Sequence, residues 1–307
     1  MNILVTGGAG YIGSILCPML LEKGHKVTIY DNLNWGIRPI LHFIDNKNLT
    51  IVNKDIRDEK EIESVVKKND IIIHLAAIVG FPACAMNPLD AKSINIDGTK
   101  NIAKYLSKDQ HIIFASTGST YGALDIIATE NTPIAPLTLY GLSKAEAEKI
   151  LNDKGATSLR FATVYGLSPR LRIDLLVNDF TYLAIHKKEI VLFEGNNKRT
   201  FMHVRDAVRS ILFTLDNLDV MKSNIYNVGN RDLNLTKREV AQNIRKKINF
   251  YLHEAKTGED PDKRDYEVSY DKIYNQGFSC IYDLNYGLDE LIKVLPNIQF
   301  KSEWRNY

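Results

Sequence analysis

Tyr140 and Lys144 stand four residues apart in Tyr-Gly-Leu-Ser-Lys, the spacing that puts two side chains on one face of a helix. An unperturbed tyrosine, with a pKa near ~10, is a poor base at neutral pH. An ammonium beside the phenol, together with a positively charged nicotinamide, stabilises the phenolate. Such a pair can take a proton from a hydroxyl while hydride leaves the same carbon. A hydroxyl-rich run, Phe114-Ala-Ser-Thr-Gly-Ser-Thr-Tyr-Gly122, lies just upstream. Thr117 is placed to share a hydrogen bond with the substrate oxygen, with Ser116 and Ser119 as rivals.

The hydride acceptor is indicated at the start of the chain. The apolar run Asn-Ile-Leu-Val5 passes into Thr6-Gly-Gly-Ala-Gly-Tyr-Ile-Gly13 and then into apolar residues at helical spacing, Ile12, Ile15, Leu16, Met19 and Leu20. Gly7, Gly10 and Gly13, with Tyr11 and Ile12 between the last two, let backbone N–H groups approach a pyrophosphate, and the helix aims its positive end at the same phosphates. Asp31 closes the next apolar run, within the roughly 20-residue offset of a ribose-binding carboxylate. A carboxylate there accepts from both ribose hydroxyls and repels a 2′-phosphate, which selects NAD over NADP. Asn32, Leu33 and Asn34 bring no arginine to reverse that choice, and Asn32 is placed with Asp31 in the cofactor site.

The elements that must hold these groups follow from the apolar pattern. Candidate strands at 3–6, 26–30, 50–53, 71–75, 112–115 and 158–162 alternate with helical patterns near 11–23, 58–68, 88–105 and 140–153. Continuous runs such as Ile71-Ile-Ile73 mark strands covered on both faces. The expected fold is α/β, a doubly wound parallel sheet of Rossmann type with a smaller, interleaved C-terminal substrate lobe. Residues 1–165, with a contribution from 204–228, are assigned to the dinucleotide domain, and 166–203 and 229–307 to the lobe. Pro18, inside the first helix, removes a backbone donor and is expected to kink it, and Gly24 ends it. Thr236-Lys-Arg-Glu239 reads as a capping box.

The 307 residues carry a net charge of +2, with 45% hydrophobic and 25% charged residues. This gives no argument for binding nucleic acid or an anionic membrane. No apolar run approaches the ~20 residues of a helical span, and the first strand begins at residue 2, so the expected location is the cytoplasm. Cys17, Cys84 and Cys280 read as separate reduced thiols. His74 and His203 lie in or beside apolar runs with no partner at metal-ligand spacing. They read as structural histidines, and no metal is expected.

Taken together, these features resemble the extended short-chain dehydrogenase/reductase family, the NAD-dependent nucleotide-sugar epimerases and dehydratases, over essentially the whole chain. Further marks of the resemblance are Asp55-Ile56, His74-Leu-Ala-Ala77, Asn95 in Asn-Ile-Asp-Gly-Thr, Arg160–Gly166 and Arg199-Thr-Phe-Met-His-Val204. The resemblance implies that Asp55 and Ile56 hold the adenine. Leu75, Ala76 and Ala77 would line the phosphate and nicotinamide side, with Asn95 also in the cofactor site. Phe161 and Val164 would border nicotinamide and sugar. Ser119, Asn178, Arg199 and Arg264 would bind the substrate, the arginines through the nucleotide diphosphate. It also implies a homodimer through the Tyr140 helix and its neighbour. In the 4,6-dehydratases of the family an Asp-Glu pair follows the threonine. Here Gly118 and Ser119 follow it, and neither transfers a proton at neutral pH. Oxidation of a sugar hydroxyl, most often at C4, is what remains, as a net dehydrogenase or an epimerase. Residues 168–180 and 259–265 are similar to the branch of bacterial GDP-heptose 4-dehydrogenases, which favours a GDP-sugar. A keto-sugar reductase uses the same groups in reverse. A non-catalytic dinucleotide sensor would have no need of Tyr140, Lys144 and Thr117.

Overall fold

Alternate residues of the apolar runs leave opposite faces of one sheet. Ile3, Val5, Ile71, Ile73 and Ile113 enter one core, while Leu4, Ile72, Ile112 and Phe114 enter another. The computed structural model describes residues 1–255, 264–299 and 301–306. Its strands are β1 (Asn2–Thr6), β2 (Lys26–Asp31), β3 (Leu49–Asn53), β4 (Ile71–His74), β5 (His111–Thr117), β6 (Ala123–Ala128), β7 (Thr157–Phe161), β8 (Thr163–Tyr165), β9 (Glu189–Leu192), β10 (Lys198–His203), β11 (Ile225–Val228), β12 (Asn234–Thr236), β13 (Tyr251–Glu254) and β14 (Asp265–Val268).

Seven of these strands form an all-parallel sheet in the order β11-β7-β5-β4-β1-β2-β3. The order reverses between β1 and β4, where a doubly wound sheet opens its ligand crevice. Register puts Thr6 beside His74 and Tyr30, and Thr117 beside Phe161, so the carboxyl ends of these strands share one edge. Gly24, at φ +83°, ends the first helix, Gly13–Glu22. The helical stretch read at 88–105 is broken into Pro88–Lys92, a π turn over Ser93–Asp97, and Gly98–Tyr105. Thr236 and Glu239 form the reciprocal capping box at Lys237–Arg245.

A second core gathers Tyr165, Ile173, Val177, Phe201, Val240, Ile244, Leu288 and Leu291. Helix Val204–Asp216 and β11 belong to the large sheet. Tyr266, Val268, Tyr270, Ile273 and Phe278 also pack into the large core, although they fall in the stretch assigned by sequence to the lobe. The pairing of β14 with β6 draws them there. Among the described residues, no helix is long and apolar enough to cross a membrane.

Candidate active site

The turn after β1 is made tight by its neighbours. Gly7 has φ +72°, and a Cβ on it would stand 2.7 Å from the backbone nitrogen of Ala76. A Cβ on Gly13 would stand 2.5 Å from the Gly7 carbonyl oxygen, so the helix can close on the turn only without a side chain. Gly10 departs from the expectation that its N–H faces a phosphate. That N–H donates to the Gly7 carbonyl (3.1 Å), and its own carbonyl accepts from Ser14 N–H (3.0 Å). Gly10 therefore closes the turn and starts the helix, and its donor is spent within the loop. A Cβ on it would stand 3.1 Å from the same Gly7 oxygen, so its small size still serves the cradle. Ile12 packs its side chain against the large core.

Asp31 ends β2 beside this turn. Its carboxylate accepts from the N–H of Ala9 (3.0 Å) and of Leu33 (2.8 Å). Burial raises its pKa, and these two hydrogen bonds oppose the rise. Each carboxylate oxygen keeps a lone pair for a ribose hydroxyl. A glycine cradle and a carboxylate at this separation fit a dinucleotide.

Several residues placed in the cofactor site direct their side chains elsewhere. The Tyr11 hydroxyl donates to the Gly166 carbonyl (2.7 Å), which ties the turn to the lobe. Ile56 is buried in the core, where the missing side chain of Gly98 makes room for it. Asp55 is paired with Arg57 at 2.8 Å, which lowers its pKa, with a smaller contribution from Asn32. Asn95 is buried; it brackets the Ile78 backbone through both amide atoms and donates to Ser143 Oγ (3.0 Å), which donates to the Tyr140 carbonyl. Its side chain therefore steadies the Tyr140 helix. Leu75, Ala76 and Ala77 remain partly exposed at the end of β4. Buried Phe161 ends β7 next to Thr117, and partly exposed Val164 follows on β8.

Helix Leu139–Asn152 carries Tyr140 and Lys144, and Thr138 caps its start by accepting from the Gly141 N–H. The Thr117 hydroxyl lies against the Tyr140 phenol, and this hydrogen bond favours phenolate. Ser116 donates instead to Glu148 (2.5 Å), on the far side of the strand end. Lys144 lies one turn beyond Tyr140 on this helix. Its ammonium sits 3.9 Å over the Phe114 ring, and the cations that bear on Tyr140 are Arg172 and Arg264. Burial outweighs them and pushes the phenol up to about 12; the lowering expected from the sequence also counted on the charge of a bound nicotinamide. Burial also pushes Lys144 down to about 7, with Glu148 holding against the fall.

On the lobe side, Arg264 donates to Ser119 Oγ (2.6 Å) and Arg199 donates to the Arg264 carbonyl. The two arginines thus form a chain from β10 to the Thr117 turn. Asn178 does not reach the cleft. It is fully buried, and its amide bonds the backbone N–H and carbonyl of Gly166 and the carbonyl of Arg172, so its side chain sets the turn over 166–172. Of the 259–265 stretch, only Arg264 and Asp265 lie within the described residues.

Sequence reading missed the support beneath the helix. Glu148 and Arg160 form a buried ion pair at 2.6 Å, and Arg160 donates to the Tyr121 hydroxyl, which donates to Asn227. Two signals were available. Glu148 continues the stripe four residues beyond Lys144, and Arg160 is a charge inside a fully buried strand. Cys84, on the distant helix Phe81–Met86, also stands near Tyr140 and Lys144, and burial raises its thiol to about 12, so it stays uncharged near neutrality. His74 is structural. The Thr6 hydroxyl meets Nδ1 (2.7 Å) and Nε2 meets Thr99 (3.0 Å), and burial pushes its pKa down to about 3. Buried His203 is held by Glu290 at 2.8 Å.

Similar proteins share both the sequence and the architecture. A putative UDP-glucose 4-epimerase of Methanocaldococcus jannaschii is 33% identical over 240 residues, covering 74% of this chain and 76% of that protein. A UDP-N-acetyl-alpha-D-glucosaminuronate decarboxylase of Bacillus cytotoxicus is 27% identical, covering 97% and 94%. The UDP-glucuronic acid 4-epimerase of Bacillus cereus, solved with UDP-glucuronic acid and NAD, superposes with a TM-score of 0.86 at 23% identity, covering 97% of this chain and 99% of that one. Residues 3–229 match the sequence profile of the NAD dependent epimerase/dehydratase family. With the glycine turn, Asp31 and the Tyr140 helix gathered on one sheet edge, the chain is an enzyme of that NAD-dependent nucleotide-sugar family.

Proposed function

We propose that this chain oxidises a ring hydroxyl of a nucleotide-diphosphate sugar at C4. NAD, when bound, supplies the hydride acceptor. Thr117 orients the sugar hydroxyl, and the Tyr140 oxygen takes its proton as the phenolate that the Thr117 hydrogen bond, Arg172, Arg264 and the positive charge of a bound nicotinamide would together favour over burial. Lys144, which burial lowers to about 7, stands one turn further along the same helix over the Phe114 ring. Asp31, the glycine turn and the ends of β4 and β7 hold the cofactor. Arg199, Arg264 and Ser119 hold the substrate, and the grip on its remote nucleotide positions the reacting carbon.

The observation that carries this reading is the set of groups around the phenol. The titratable groups that bear most on Tyr140 are Cys84, Arg172 and Arg264, and the two residues that follow Thr117, Gly118 and Ser119, carry no carboxylate. Gly118 is buried, and a Cβ there would already stand 3.2 Å from the Tyr266 hydroxyl. This supports oxidation without expulsion of water. The keto sugar is then released, giving a 4-dehydrogenase, or reduced on its other face, giving a 4-epimerase. The names of the relatives favour a UDP-sugar and the resemblance at 168–180 a GDP-sugar, so both belong in the test.

The experiment incubates the protein and NAD with a panel of UDP- and GDP-sugars, following the reduced-nicotinamide band and the mass of the sugar. A product lighter by two hydrogens identifies the dehydrogenase, and an isomer of unchanged mass the epimerase. A product that has lost water would overturn the reading. A second copy is proposed to pack against the Tyr140 helix, where Met86, Leu89 and Leu142 are exposed. Free Cys17, Cys84 and Cys280 suit a cytoplasmic location.

A further inference from the structure

Arg170 is 4% exposed, yet no carboxylate among the described residues stands within ion-pair distance of it. Asp174 is taken by Arg172, through Nε at 3.2 Å and the terminal nitrogen at 2.5 Å. Glu303 pairs with Arg38. The Arg170 guanidinium lies 4.2 Å over the Trp35 ring and donates to the Leu171 carbonyl and to Asn306 Oδ1, each at 2.9 Å. Burial, then the like charge of Arg172, pulls its pKa down to about 10, against the more distant charges of Asp174 and Glu303. A buried cation with no direct ion-pair partner is costly, and it fits a place where an anion arrives with the ligand.

Its surroundings indicate which anion. Ser168 donates to the Tyr11 carbonyl (2.6 Å) and meets Ser14 Oγ (3.0 Å), so the chain two residues before Arg170 is pinned over the first turn of helix Gly13–Glu22. Trp35 stands on the loop leaving Asp31. Arg170 therefore spans the gap between the phosphate-facing turn and the ribose-facing loop. The end of the chain braces it: Ile173 N–H donates to the Trp304 carbonyl (2.9 Å), and the Asn306 amide donates to the Val79 carbonyl (3.2 Å).

We infer that Arg170 closes on the pyrophosphate of the bound dinucleotide from the side opposite the glycine turn, with Trp35 as its platform and Asn306 as its strut. The planar fork of a guanidinium matches two phosphate oxygens.

The test titrates the nucleotide-stripped, full-length protein with NAD, ADP-ribose and adenosine by calorimetry. In Arg170→Met, the Kd for NAD and for ADP-ribose should rise by about ten-fold or more, while that for adenosine stays unchanged. The ligand-free variant should melt at the same temperature or higher, because a buried unpaired charge has gone. A role confined to folding would instead lower the melting temperature and leave the ADP-ribose to adenosine ratio alone, which overturns the inference. So does a loss of UDP or GDP affinity with NAD affinity intact, since Arg170 would then serve the substrate. Should Arg170→Met not fold, Arg170→Lys carries the same titrations: weaker NAD and ADP-ribose binding supports the inference, and unchanged binding contradicts it.

Discussion

The two walls of the cleft are built from different material. The cofactor wall is main chain: the turn over Gly7, Gly10 and Gly13, the backbone of Ala76, and a carboxylate whose geometry is fixed by two backbone N–H groups. The wall proposed for the substrate is made of long side chains, Arg199 on β10 and Arg264 just before β14, linked to Ser119. A backbone wall admits almost no change, because each added Cβ strikes a neighbouring chain. A side-chain wall can change its residues while the sheet beneath stays as it is. That contrast accounts for relatives of one architecture whose names carry different sugars and reactions, an epimerase and a decarboxylase among them.

Substitutions on each wall separate the two. The largest effect is expected at the reacting oxygen between them: Tyr140→Phe should lower turnover by up to about 10⁴-fold while NAD binding by calorimetry stays within about two-fold. Retained turnover would remove Tyr140 from the chemistry. Glu148→Ala should cost about 3–5 kcal/mol in urea unfolding, since it leaves Arg160 buried and unpaired, and Glu148→Gln should cost less. Equal, small costs for both would mean that the pair is not a support. Gly13→Ala should cost roughly 1–3 kcal/mol of stability and weaken NAD, because its Cβ meets backbone. Arg264→Ala, on the other wall, should raise the substrate KM about ten-fold with the NAD Kd unmoved. If both constants moved together, the walls would not be separable.

The smallest effect is a pH dependence. The folded pKa of Lys144, about 7, lies below its ordinary 10.5. Between those values the unfolded chain binds the extra proton, so this group makes stability rise with pH across that window, at most on the order of 1 kcal/mol per unit. That contribution should be missing in Lys144→Met, so its melting temperature should rise less with pH between about 7 and 9 than that of the parent protein.

What was legible in the sequence follows the same division. Six of the seven strands of the large sheet were readable to within a residue or two because continuous Val/Ile runs leave little choice of period, and the glycine turn because its spacing is contiguous; β11 was not read as a strand. Gly10 shows the limit of that spacing: it locates the turn, but not which N–H groups the turn itself consumes. Asn178, Ile56 and Asn95 were harder. They carry polarity or position that suits a ligand, yet the structure spends them on the 166–172 turn, the Gly98 contact and the Tyr140 helix. Lys144 shares a face with Tyr140, but its ammonium goes to Phe114 and the Glu148 side, because spacing fixes a face and not a rotamer. The Arg170–Trp35 stack joins residues far apart in sequence, and no local pattern announces it.

The central claim is that Tyr140 and NAD remove a proton and a hydride from one sugar carbon without loss of water. The most direct measurement is a single turnover of NAD-loaded protein with the active nucleotide sugar carrying deuterium at C4. The account predicts reduced nicotinamide that forms more slowly from the deuterated sugar, an intact oxygen count in the product, and no signal in Tyr140→Phe. Product formed at equal rates from both sugars, or formed by Tyr140→Phe, would contradict it.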